Sequence, residues 1–394
     1  MGTRVLRAVI ATALVLASAA IRVPTADAAP SANVVPSQNQ VGYSTLSGVD
    51  CVTANDCWAV GSWDRKGVSR TLVEHWNGSD WKVVDSPNAD WARDSRLSAV
   101  SCVSSIDCNA VGQASSLSSY DLDLPIDPLF MHWDGSAWTV VPGPRNGQKS
   151  FIYDQLQAVD CPVSNFCLAV GDRRQGYETL AMRWNGATWA KVPSPNRNSY
   201  SQRQNRLLGV ACTNRANCFA VGLSEIEFRS GLVQHATLVE RWDGSRMRIV
   251  ASPNVVFSGR DNVLEGVTCP AAKSCIATGY FDAKDAPYGQ RTLVLQWNGS
   301  TWKVVPSPTP SKQNRASLTG VSCMSATRCF AAGTRDDFAR AMTLAQWNGK
   351  TWTLVAAPHV AGQPQLRGVA CTKRSCFAVG SRAYGQKTLI IRYR

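Results

Sequence analysis

The sequence predicts an all-β fold: a seven-bladed β-propeller with four antiparallel strands per blade. Three observations predict it. One motif recurs seven times at a period of roughly fifty residues, the spacing of propeller blades rather than of helical repeats. Each repeat carries four short apolar runs. The last repeat is one run short, and a matching run stands near the front of the chain.

The motif opens at Leu46, Leu97, Leu156, Leu207, Leu264, Leu318 and Leu366. Each leucine begins Leu-x-(Gly/Ala)-Val-x-Cys, followed by a second cysteine and a glycine. In the fifth repeat the apolar runs are 264–269, 275–279, 292–297 and 302–305. They are rich in Val, Leu and Trp, which suit a pleated, packed surface, and too short for helices. Asn298-Gly299 joins the third run to the fourth, a dipeptide that favours tight hairpins because both positions tolerate positive φ. Four such strands in a meander make a blade. Simple alternation puts Leu264 and Gly266 on one face of the first strand, and Val267 and Cys269 on the other. The small residue two positions after each leucine (Gly48, Ala99, Ala158, Gly209, Gly266, Gly320, Gly368) suits the innermost strand, where blades crowd the axis.

In order, the blades fall near 46–88, 97–144, 156–196, 207–254, 264–309, 318–358 and 366–394. Blade one adds Trp58 and Trp63. Blade two carries the longest insertion, 113–128. Blade three is compact. Blade four carries an insertion at 223–236 and has Met247 in place of its second tryptophan. Blade five is the most regular and blade six is short. Blade seven stops after its third strand, with Tyr393 where the others have their first tryptophan. Residues Asn33-Val34-Val35-Pro36-Ser37 match Lys303-Val304-Val305-Pro306-Ser307, so Val34 and Val35 are expected to pair beside 388–392. Closure of this kind removes open sheet edges.

Residues 1–28 read as a secretory signal: Arg4 and Arg7, an apolar core over 8–20, and a small-residue cleavage site at Ala26-Asp27-Ala28. The domain is then 29–394. Loss of three arginines and one aspartate lowers the net charge from +13 to +11. No other stretch is long and apolar enough to span a bilayer. The expected location is extracellular or at the cell wall, and the expected state is a monomer. All fourteen cysteines belong to the repeat, two per unit: Cys51/Cys57, Cys102/Cys108, Cys161/Cys167, Cys212/Cys218, Cys269/Cys275, Cys323/Cys329 and Cys371/Cys376. In an exported chain this reads as seven disulfides, each stapling a first hairpin. Metal binding is the rival reading. Structural zinc needs four clustered ligands, and the histidines (His75, His132, His235, His359) are scattered. No metal or cofactor is called.

Antiparallel strands place the cysteine hairpins and the Asn-Gly turns on one face of the ring. The insertions and interblade links fall on the other, where variable loops on a rigid scaffold usually bind. That loop face is rich in arginine and tyrosine: Arg65, Arg93, Arg96, Tyr120, Tyr153, Arg173, Arg174, Tyr177, Tyr200, Arg203, Arg206, Arg229, Arg260, Tyr288, Arg291, Arg315, Arg335, Arg340, Arg382 and Tyr384. Guanidinium forks match carboxylate, sulfate or phosphate, so a glycan or anionic wall polymer is the expected ligand. Asp121, Asp123, Asp127 and Asp154 are the candidate acid/base groups of an alternative glycoside hydrolase or lyase. A protein-interaction platform is a further alternative. No HExxH, P-loop or GxSxG motif occurs. Nucleic acid is not an expected partner of an exported chain. The Trp-(Asn/Asp)-Gly-x-x-Trp element resembles a sugar site at first sight, but a regular turn with tryptophans packed between blades explains it.

The Leu-x-Gly-Val-x-Cys-x5-Cys-x-Ala-Val-Gly and Trp-Asn-Gly-x-x-Trp units resemble secreted β-propeller repeat proteins of actinobacteria, over the whole chain after residue 28. More distantly, Gly299 and Trp302 are similar to the Gly and Trp of the sialidase Asp-box turn, with Trp297 where the box has its Asp. That resemblance implies a sialidase-like propeller in which the box is structural.

Overall fold

The computed structural model describes residues 2, 31–116, 126–144, 153–173, 177–197, 203–227, 231, 233–255, 260–283, 289–310, 315–336 and 341–394. Apart from Gly2, the expected signal sequence lies outside the described residues. The chain forms seven antiparallel sheets in a ring, each meandering outward from the axis. Blade five is representative, with strands Asn262–Ala271, Ser274–Asp282, Gln290–Trp297 and Trp302–Val304. First strands touch first strands from blade one to blade seven, and that of blade seven (Gln365–Cys371) meets that of blade one (Tyr43–Thr53). No helix among the described residues is long and apolar enough to cross a membrane.

The front of the chain completes blade seven. Ala32–Val35 pairs with Lys387–Tyr393, Val34 opposite Ile391 and Val35 opposite Ile390. Val304 pairs with Leu295 in the same register. The match extends past the strand. Asn39 Oδ1 accepts from Thr388 N at 2.7 Å, as Asn88, Asn196 and Asn254 accept from Thr71, Thr179 and Thr237. An Asn two residues past the serine therefore ties the outgoing chain to the head of its own third strand in four blades, including the closing one.

The first strands depart from simple alternation. A one-residue bulge separates Leu264, opposite Gly279, from Gly266, opposite Thr278. The residue on each side of a bulge changes face. Leu264 and Val267 consequently share one core with Phe219 of blade four, while Gly266 faces blade six. The expectation that Leu264 and Gly266 share a face is corrected. The crowding argument holds: a Cβ on Gly266 would lie 2.9 Å from the Thr319 carbonyl oxygen, and one on Gly48 would lie 2.7 Å from Ala99 Cα. The bulge also explains the glycine that follows the second cysteine. A Cβ on Gly279 would sit 2.0 Å from the carbonyl oxygen of Val263 in the first strand.

The Asn-Gly turns are corrected too. Only the glycine has positive φ, 98° at Gly78 and at Gly299. The paired residues are the flanking tryptophans, Trp76 opposite Trp81 and Trp297 opposite Trp302, so each loop holds four residues. Asn298 Oδ1 accepts from Ser300 N and Thr301 N, both at 2.9 Å. Asp134 and Asp243 do the same in their blades. An acceptor oxygen is all the position requires, which is why Asn and Asp alternate there.

Candidate functional site

The disulfides form as paired from the sequence: Cys51–Cys57, Cys102–Cys108, Cys161–Cys167, Cys212–Cys218, Cys269–Cys275, Cys323–Cys329 and Cys371–Cys376, with no cysteine free. They settle the metal alternative for the thiols and suggest an oxidising, extracytoplasmic environment. The second of each pair is buried in the core: Cys57, Cys108, Cys167, Cys218, Cys275 and Cys376 are 0% exposed, and Cys329 is 2% exposed. These sulfurs are out of reach of any ligand and serve only to staple the hairpins. Burial follows from their position at the start of the second strand, which is covered by blades on both sides.

The Trp-(Asn/Asp)-Gly turns pack on the same hairpins. Trp76 Nε1 donates to the Ala54 carbonyl at 3.2 Å, and Trp242 Nε1 to the Arg215 carbonyl at 2.8 Å. The second tryptophan is buried against the preceding blade: Trp81 lies 5.3 Å from Phe377, and Trp302 the same distance from Phe219. These rings are core and offer no sugar platform.

On the loop face the structure brings many candidates together with carboxylates. Arg206 Nε meets Asp172 Oδ1 of the neighbouring blade at 3.1 Å, and Gln155 donates to the same carboxylate. Arg173 Nε lies 3.4 Å from Asp154, a fully buried residue that Lys191 Nζ reaches at 2.9 Å. Arg203 bridges Glu225 and Glu227. Arg96 Nε donates to Ser69 Oγ at 3.0 Å, and Arg260 Nη1 to the Ala283 carbonyl at 2.7 Å. The carboxylates Asp172, Glu225 and Glu227 were missed by sequence reasoning. The pairing of Asp172 with Arg206 crosses a blade boundary, and nothing in one repeat announces it. Arg203 stands two residues before the first strand of blade four and its two glutamates end the second, so their meeting depends on strand register.

The remaining candidates are dispersed. Arg65 is exposed at the end of its strand, before a two-residue turn at Lys66 and Gly67. Tyr153 is half-buried beside Ile126. The Tyr177 carbonyl accepts from Asn205. Arg291 and Arg382 are half-buried. Arg335 lines a cavity of about 460 Å³ between blade six and the link that follows it, which supplies Pro358, Val360 and Pro364. Tyr120, Asp121, Asp123, Arg174 and Arg229 lie outside the described residues.

Acids displaced upward by burial lie elsewhere. Glu74 and Glu240, inside third strands, are each pushed up to about 8 by burial, opposed only by a serine hydroxyl of the preceding blade, Ser37 and Ser194 respectively. Asp160 rises to about 7 by burial near the disulfide end, where it caps Cys212 N of the next blade. Asp50 caps Cys102 N in the same way at 2.7 Å. These carboxyls join blades.

No known family model matches the chain, and no curated protein matches its sequence. Solved propellers do match in shape. A structure described as YCF48 bound to D1 peptide has 12% identity and a TM-score of 0.54, covering 92% of this chain and 96% of that one. The WD40 propeller domain of Doa1 has 10% identity and a TM-score of 0.53, with coverage of 92% and 97%. The Cps50 (Swd1) propeller domain of Myceliophteria thermophila has 8% identity, a TM-score of 0.53 and coverage of 91% and 98%. At such identities the likeness establishes the fold alone.

Proposed function

We propose that the chain is a secreted binding propeller whose loop face recognises an anionic glycan or cell-envelope polymer. The observation that carries this reading is a set of pre-anchored guanidinium forks. In Arg96 and Arg206 the internal Nε is held by Ser69 and Asp172, and no partner for the terminal nitrogens occurs among the described residues. An arginine fixed in this way loses little freedom when it grips a sulfate, phosphate or carboxylate. The acid nearest Arg206, Asp172, is engaged by that arginine, and those nearest Arg96, Asp64 and Asp94, accept from Ser69, which favours binding over hydrolysis as the role of this face.

The test is retention of the protein on immobilised dextran sulfate across a salt gradient. Arg96→Ala/Arg206→Ala is expected to elute clearly earlier than the unaltered chain. Retention no stronger than low-salt background, or equal retention of the two proteins, removes the reading. A second reading, recognition of a peptide, draws on the comparison propeller solved with a peptide bound.

A further inference from the structure

The disulfide face is polarised around the ring. Its inner rim is built by the hairpin tips between the paired cysteines. In blades four to seven these tips carry Arg215, Lys273, Arg328, Lys373 and Arg374, all exposed, and no acid. In blades one to three the tips carry no Lys or Arg, and their acids, Asp56 and Asp107, are held by His75 and His132 at 2.8 and 3.0 Å. Among the described residues no carboxylate lies within ion-pair distance of the five cations. The outer turns add Lys350, and their one acid, Asp243, is taken by Arg248 at 3.0 Å. The uncompensated charge is a half-ring, not a uniform coat.

A pit of about 560 Å³ opens at one end of this arc, lined by Val52, Ala54, Cys323, Met324 and Thr372 together with Lys373 and Arg374. Its walls belong to blades six and one as well as to blade seven. Blade seven has the short hairpin: its cysteines are 5 residues apart, against 6 in the other blades. That hairpin also lacks the second register shift of its neighbours, so its tip is one residue shorter than those beside it.

We propose that the disulfide face of blades four to seven docks an acidic peptide segment, which lays carboxylates along the five cations and sets an aliphatic side chain in the pit beside blade seven. Charge complementarity steers such a chain and fixes its register. The pit mixes cationic rims with Met324, Val52 and Ala54, which suits an aliphatic side chain flanked by carboxylates. The tryptophans of the adjacent turns are buried, so no ring is presented for a sugar to stack on. The proposal concerns the face opposite the arginine forks and stands independently of the loop-face reading.

The experiment measures fluorescence anisotropy of two labelled peptides, an oligoglutamate and the same chain with one central leucine, titrated with the protein. Both are expected to bind in a salt-dependent way, the leucine peptide more tightly. Lys373→Ala/Arg374→Ala and Lys273→Ala/Arg328→Ala are each expected to weaken binding by about fivefold or more, the scale of losing close charge partners. Arg183→Ala, which removes an exposed cation of blade three outside the arc, is expected to change nothing. Inserting one alanine between Lys373 and Arg374 restores the usual hairpin length without altering charge, and is expected to abolish the leucine advantage alone. The altered positions of the arc are exposed tips, and a melting curve verifies each fold. Failure of both peptides to bind, binding indifferent to both double substitutions, a leucine advantage that survives the insertion, or tighter arc-dependent binding of dextran sulfate than of either peptide would each overturn the proposal.

Discussion

Asn109 is the residue where the repeat is least well served. It follows the second cysteine of blade two, where the other blades have Trp58, Leu168, Phe219, Ile276, Phe330 and Phe377. It is fully buried, and neither polar atom of its amide has a partner among the described residues. A buried amide without hydrogen bonds costs about 1–3 kcal/mol. Asn109→Leu is therefore expected to stabilise the fold by about 1 kcal/mol, read as a raised midpoint in urea unfolding. Glu240 is the second such residue. Its carboxyl, normally near 4.5, is lifted to about 8 by burial, with Ser194 as its opposing hydrogen bond. Between those values the folded chain keeps a proton that the unfolded chain releases, so stability falls as pH rises from 4.5 to about 8. Below 4.5 that loss is absent. Glu240→Gln should flatten this slope in thermal melts taken at the two ends of the window.

At the scale of the strand and hairpin, the bulge dominates. It decides which blade each leucine and glycine faces, and it was invisible to a period-two reading because an extra residue leaves the apolar pattern looking regular. The hairpins beside it are closed by disulfides over short loops. Removing one, as Cys269→Ser/Cys275→Ser, is expected to cost about 2 kcal/mol in the chain-entropy account. Differential scanning calorimetry with and without reductant checks the sum over all blades. The turn motif was legible as a hairpin from Trp-Asn-Gly-x-x-Trp. Its mechanism was not, because an Asn side chain that accepts two backbone amides and an Asn-Gly pair with two positive φ values leave the same letters in the sequence.

For the whole molecule the critical joint is the seam between blades seven and one. Ser37 Oγ lies 2.5 Å from Thr388 Oγ1 and 2.9 Å from Glu74 Oε2, so the closing segment touches both blades. A chain beginning at Val41 would expose the edge of Lys387–Tyr393. Its amides are expected to exchange rapidly and the truncated protein to aggregate, measured by hydrogen exchange and light scattering. Glu74 is lifted to about 8 by burial. Exchange in 32–39 should accordingly quicken as pH rises through that value and less so in Glu74→Gln.

The sequence by itself determined the number of blades, the cysteine pairs and the origin of the closing strand. Each of these is written in local repetition, and repeated local contacts leave one solution once the ring must close. The tertiary structure alone decided which arginines are anchored by acids, which blade each side chain faces, and that uncompensated positive charge gathers on the disulfide side of blades four to seven. Those facts depend on residues distant in the sequence, Arg203 and Glu225 22 positions apart and Arg206 and Asp172 34 apart, meeting across strands and blade boundaries, and only folding sets such distances.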